Sequence, residues 1–154
     1  MYRYPVELIE MENGSFMARF PDVPEAITAG ASPANALEWA QDALHVALSG
    51  YIDDNAPIPV PSRPEPGQPA VEVSPLVAVK LGIYSLMLQH GVTRARLARL
   101  LHCDARQVRR LLDLDHQSTF DQLLDALEVL GSKLDVVITP LEQQQRQAGG
   151  MSLG

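Results

Sequence analysis

The sequence predicts an α+β fold in two lobes, and three observations carry that expectation. Alternating apolar residues on either side of Asn13-Gly14 read as a β-hairpin. Seven of the twelve prolines crowd into residues 57–75, a composition that breaks regular structure. Beyond them the pattern turns helical, and six of the twelve basic residues, all arginine, fall between Arg94 and Arg110.

The first lobe spans residues 1–56. Tyr4, Val6 and Leu8 alternate with Glu7 and Ile9 before the turn, and Phe16, Ala18 and Phe20 alternate with Met17 and Arg19 after it. Asn-Gly suits a type I′ turn, because both residues tolerate positive φ. A short third strand over about Ala26–Ala29 leads through Gly30 to Ser32, a good N-cap followed by Pro33 at the first helical position. Leu37, Ala40, Leu44, Ala47, Leu48 and Tyr51 mark the packed face of the helix that follows. The unit is three to four strands crossed by one helix.

Residues 57–74 form a proline-rich linker with too few backbone donors for a helix or a central strand, so a stiff, extended arm is expected. Within it, Ala70 to Val73 has the alternation of a short edge strand. Residues 75–142 make an all-α second lobe. Ser74-Pro75 start its first helix, His90-Gly91 stop it, Thr93 caps the second and Asp104 the third. A helix from Ser118 carries Leu123, Leu124, Leu127 and Leu130 and ends at Gly131. Leu134 to Thr139 is β-branched and reads as a lone strand that needs a partner, for which the same strand of a second subunit is one solution. The polar tail, 143–154, is expected to be disordered.

Between Thr93 and Leu112 the apolar residues Leu97, Ala98, Leu101, Cys103, Val108 and Leu111 have the offsets of two short helices packed across each other, a helix-turn-helix. That packing turns Arg106, Gln107, Arg109 and Arg110 outward on the second helix. Arginine can bond guanine bidentately there, and glutamine adenine. Thr93 and Arg94, at the start of the preceding helix, suit phosphate contacts, and Asp104 caps the helix that reads the bases. The DNA-facing set is thus Thr93, Arg94, Asp104, Arg106, Gln107, Arg109 and Arg110. Residues 94–110 sum to +5 in a chain of net charge −7, whereas residues 1–59 hold nine acids against two arginines. The basic patch suits DNA, and the acidic lobe suits a basic protein.

The lengths and order of these features resemble the HicB family of antitoxins, in its helix-turn-helix branch. The residues that carry the resemblance in the first lobe are the Asn13-Gly14 hairpin, Phe20-Pro21-Asp22-Val23-Pro24, Thr28, Gly30-Ala31-Ser32 and the alanine-rich helix from Pro33 to Leu48. In the second they are Leu97-Ala98, Val108, Leu111-Leu112 and Leu123 to Gly131. Two departures stand out: Glu25-Ala26 where the family usually has Gly-Cys, and Gly30-Ala31-Ser32 where it usually has Gly-Asp-Thr. The resemblance implies a partial ribonuclease-H-like first lobe that masks a small basic ribonuclease toxin of the HicA type. It also implies a DNA-binding lobe that represses the operon encoding both. Toxin contacts are expected at Glu7, Glu10, Asp22, Glu25 and Trp39.

Other chemistry finds little support. Glu7 and Glu10 differ by three, so on a regular strand they face opposite ways, which argues against a carboxylate pair for metal-dependent RNA cleavage. The four histidines, His45, His90, His102 and His116, lack ligand spacing, and Cys103 is the single cysteine, so neither a metal site nor a disulfide is expected. The expectation is therefore a non-enzymatic, cytoplasmic protein without cofactors, acting as a dimer or a larger even oligomer. The alternative is a solitary transcriptional repressor whose first lobe oligomerises or senses a ligand.

Overall fold

Described over residues 2–141 in a computed structural model, the chain is a mixed α+β protein. Strands β1 (Arg3–Pro5) and β2 (Glu7–Glu10) follow each other with a break at Val6, and β2 pairs antiparallel with β3 (Phe16–Phe20), which pairs with β4 (Val23–Gly30). Alternation sorts this sheet into two faces. Tyr4, Val6, Ala18, Phe20, Val23 and Ala26 are buried, whereas Arg19 and Ile27, which are register partners, are exposed on the other face.

The hairpin forms where expected but with a different turn. Gly14 has φ of 83° while Asn13 keeps a negative φ, and Gly14 N donates to Met11 O at 3.0 Å. Glu10 faces Phe16 across the loop, so the loop is longer than two residues and needs positive φ only at the glycine. Asn13 Oδ1 accepts from both Ser15 N and Ser15 Oγ, which holds the asparagine inside the turn.

Helix α1 (Pro33–Asp53) begins as its signals predict, with Ser32 Oγ accepting from Asn35 N. It buries Ala36, Ala40, Leu44, Leu48 and Ile52 against the sheet, a stripe at spacing four. Gly30 permits this contact. A Cβ there would meet Ala36 Cα at 2.7 Å and Asn35 C at 2.8 Å, both backbone atoms.

The proline-rich arm is bound along its length to the first lobe. Tyr4 donates its hydroxyl to Pro59 O, Ser62 donates through N and Oγ to the Asp22 carboxylate, and Val6 N donates to Pro69 O. The edge strand expected within it is β5 (Ala70–Glu72), antiparallel to β1. It returns the chain to the strand with which the fold began.

Four helices follow: α2 (Pro75–His90), α3 (Arg94–Leu101), α4 (Ala105–Leu112) and α5 (Phe120–Val129). Ser74, Thr93 and Asp104 cap the first three as expected. The cap of α5 is Thr119 and not Ser118, because Gln122 lies three residues after Thr119 and completes a reciprocal capping box. His102 closes α3 at φ 53°, a left-handed conformation that histidine tolerates better than most side chains.

Residues 134–139 pair with no strand among the described residues of their own chain, and the pairing with a second copy lies outside a single chain. Val136, Val137 and Ile138 stand exposed, the last at 92%. The expected disorder of 143–154 lies outside the described residues. No helix is long and apolar enough to cross a membrane among the described residues.

Replacing Gly30 with alanine forces a methyl group into the backbone of the first turn of α1. The expected loss is at least about 2 kcal/mol of unfolding free energy, read by urea denaturation, with Gly50→Ala as a control that has ordinary helical backbone and meets no neighbouring atom.

Candidate functional site

The turn between α3 and α4 is closed by Cys103 N donating to Ala98 O at 3.0 Å, with Leu97 and Ala98 buried on one helix and Val108, Leu111 and Leu112 on the other. Leu101 and Cys103 are half-buried at the rim. Burial pushes the Cys103 thiol above its ordinary pKa, with Asp104 adding to the effect, which disfavours the thiolate and suits a packing residue.

With that apolar side sealed, Arg106, Gln107, Arg109 and Arg110 are all exposed. At 100° per residue, Arg106 and Arg110 share the centre of the outward face, and Gln107 and Arg109 flank it on opposite sides. Gln107 borders a cleft with Gln122 and Asp125 of α5, and Arg109 borders another with Ser49 and Asp53 of α1. Asp104 Oδ1 accepts from Gln107 N at 2.9 Å, and Thr93 Oγ1 from Arg96 N at 3.1 Å. Both residues are helix caps whose side chains are engaged in the fold.

Arg94 is engaged as well. Its guanidinium donates through Nη1 to Asn55 Oδ1 at 2.6 Å and through Nη2 to Ile52 O at 3.1 Å, at the C-terminal end of α1. It thus joins the first lobe to the second, where spacing alone suggested a phosphate contact. His45 Nε2 donates to Asp115 Oδ1 at 2.7 Å, and Tyr84 donates its hydroxyl to Ala56 O at 2.7 Å, adding to the same seam.

The five acidic-lobe candidates do not form one cluster. Glu7 lies on the sheet face away from α1 and pairs with Arg19 at 2.6 Å. Asp22 holds the arm through Ser62, and Glu25 accepts from Tyr51 at 2.7 Å. Glu10 is exposed at the end of β2 with no bond to another side chain among the described residues. Trp39 stands 53% exposed on α1, in the other layer. Among the described residues, no group of three or more His, Cys, Asp or Glu is placed to hold a metal ion.

One residue escaped the sequence reading. Lys80 is fully buried, and Nζ donates to Arg110 O at 2.8 Å, Asp113 O at 2.8 Å and Ser118 Oγ at 2.9 Å. All three of its protons are used and no carboxylate is among the acceptors. The signal was present: Lys80 is the single Lys, Arg, Asp or Glu in the sixteen-residue helix α2.

A family model described as HicB-like antitoxin of bacterial toxin–antitoxin system matches residues 3–82, from β1 into α2. The chain belongs to the HicB-like antitoxin family. It is 39% identical over 135 residues to antitoxin HicB 2 of Photorhabdus laumondii, covering 88% of this chain and 95% of that one. It is also 37% identical over 136 residues to antitoxin HicB of Escherichia coli K12, covering 88% of this chain and 99% of that one. These HicB relatives align across most of both lobes, so α3 and α4 belong to the compared length.

Burial lowers the Lys80 pKa from 10.5 to about 8, with Asp113 acting weakly the other way. Between those values the unfolded chain holds a proton that the folded chain has released, so folding stability rises with pH across that window. Tyr51 acts in the opposite sense and later. Its hydrogen bond to Glu25, helped by burial, pushes its hydroxyl up to about 12, and the stability it contributes is lost above about pH 10. Chemical denaturation between pH 8 and 10 should show a gain of about 1 kcal/mol per pH unit over Lys80→Met, which lacks the group. Parallel profiles for the two proteins would show that Lys80 does not titrate there.

Proposed function

We propose that this antitoxin binds and neutralises a small basic HicA-type ribonuclease through its acidic first lobe, and represses its own operon by binding operator DNA with α4. The observation that carries the DNA half is the exposed Arg106–Arg110 face on a helix whose opposite side is buried, within a chain of net charge −7. An acidic protein gains little from presenting concentrated positive charge unless it meets an anion. Arg106 and Arg110 then face the bases, while Gln107 and Arg109 reach the flanks of the groove. Asp104 and Thr93 orient helix termini, and Arg94 serves the seam between lobes before any phosphate.

Family membership and charge support the toxin half. The first lobe is read as a partial ribonuclease-H-like fold that masks its partner and performs no chemistry itself. Glu10 and Trp39 are its most available contacts. Glu7, Asp22 and Glu25 reach a partner only while sharing their present hydrogen bonds. A two-fold dimer, with residues 134–139 of each copy paired across the axis, gives the exposed Val136–Ile138 segment a neighbour and presents two α4 helices to an inverted repeat.

The full-length chain used as bait in its native host should retain a small basic protein in stoichiometric amount. That capture should fail at high salt or after reversal of the first-lobe acids. A folded bait that retains only itself would favour a solitary repressor. For DNA, Arg106→Ala or Arg110→Ala should cost about 1–3 kcal/mol per lost base contact and relax sequence preference, measured by fluorescence anisotropy on wild-type and altered operators. Unchanged affinity in the Arg106, Arg109, Arg110 triple alanine variant would remove α4 from the interface.

A further inference from the structure

Helix α4 has eight residues, little more than two turns, and its orientation is set by what holds its two ends. The N-terminal end is fixed by the Asp104 cap and by the tight turn from α3. The C-terminal end runs into residues 113–119, which contain no helix or strand. Leu111 and Leu112 pack this end against the core, but apolar contacts define rotation and slide less sharply than directed bonds do, and a small pivot at the N-terminus displaces the side chains of the last turn most.

Lys80 supplies the second fixed point. Its ammonium reaches from the middle of α2 to the carbonyl of Arg110 in the last turn of α4, to the carbonyl of Asp113 at the C-cap, and to the hydroxyl of Ser118, one residue before the cap of α5. Asp113 N also donates to Arg110 O at 3.3 Å, so the same carbonyl closes the helix and receives the lysine. A cation is matched to this place, where the last carbonyls of a helix gather negative partial charge. It is also costly there, since a buried ammonium without a carboxylate is disfavoured relative to an apolar side chain of similar volume. Stability alone gives no reason to prefer lysine over methionine or leucine at the centre of an apolar helix. Orientation does, because three directed donors define a geometry that an aliphatic chain does not.

We infer that Lys80 is a positioning residue for DNA recognition: it locks the C-terminal end of α4 to α2 and to the start of α5, and so sets the angle at which Arg106 and Arg110 meet the bases. The inference rests on the DNA-binding reading of α4. It assigns specificity to a residue that lies on a different helix and is inaccessible to DNA. Ser118 is the lesser arm of the same lock, since its hydroxyl accepts from Lys80 and lies 3.5 Å from Arg110 O.

The test uses full-length wild-type, Lys80→Met and Ser118→Ala proteins. Each is titrated with duplex DNA from upstream of its own reading frame and with a scrambled duplex of equal length and composition, alongside its thermal midpoint. The expected result for Lys80→Met is a loss of about tenfold or more in the ratio of upstream to scrambled affinity, with scrambled binding nearly unchanged and a thermal midpoint no lower than wild type. Ser118→Ala should lose about two- to threefold on the same scale. A folded Lys80→Met that keeps the wild-type ratio overturns the inference, because a lysine that merely fills the core would give that result. If Lys80→Met does not fold, Ser118→Ala decides: a lowered ratio at an unchanged midpoint supports the lock, and an unchanged ratio overturns it. A wild-type protein that does not distinguish the two duplexes refutes the DNA-binding reading itself, and the positioning role falls with it.

Discussion

The C-terminal end of α1 has to be closed, and the way that is done ties the second lobe to the first. The last carbonyls of a helix have no partners within it. Here Asn55, at φ 54°, turns the chain back so that Asn55 N and Ala56 N donate to Ile52 O and Tyr51 O, and the second lobe adds further donors. Arg94 reaches Ile52 O, while Tyr84 reaches Tyr51 O at 3.3 Å and Ala56 O at 2.7 Å. The guanidinium also lies where the dipole of a twenty-one-residue helix favours positive charge. An acidic lobe and the lobe that carries the arginine cluster are joined at carbonyls that the first lobe also caps itself, Ile52 O by Asn55 N and Tyr51 O by Ala56 N, and buried residues of both lobes belong to one apolar cluster.

Local pattern made much of this readable. The face of α4 follows from 3.6-residue periodicity alone, so the exposure of Arg106, Gln107, Arg109 and Arg110 was legible in the order of residues. The caps Ser32, Ser74, Thr93 and Asp104 were legible for the same reason, since a side chain and an amide three residues on need no third party. Asn13-Gly14 located a hairpin, but the type I′ turn expected of it gave way to a longer loop, because Gly14 satisfies either turn and only the pairing of Glu10 with Phe16 decides. Contacts across long separations were not readable. Nothing near Arg94 announces that Ile52 and Asn55 will lie beside it, and nothing near Ala70–Glu72 announces β1 as its partner. Of the acidic candidates, Glu7, Asp22 and Glu25 turned out to hold the lobe together, because a charge count cannot tell an acid that awaits a partner from one that has found it.

Lys80 illustrates a different gap. A lone charge in an apolar helix is visible in sequence, yet its meaning depends on carbonyls thirty residues away. Burial without an ion-pair partner weakens its hold on the proton, and three directed bonds keep it in place. The residue contributes definition to a short helix more than it contributes free energy.

The proline-rich arm bears on how such proteins can be rebuilt by recombination. An arm of this composition looks like a natural joint at which one lobe could be exchanged for another. Yet β5 lies after the arm in the chain and completes the first lobe by pairing with β1, and the family match runs through the arm and on to residue 82 in α2. A crossover within residues 57–69 would supply β1 with a foreign strand and the end of α1 with foreign donors. New surface specificities are therefore more readily reached by changing exposed side chains on an intact scaffold than by trading whole lobes.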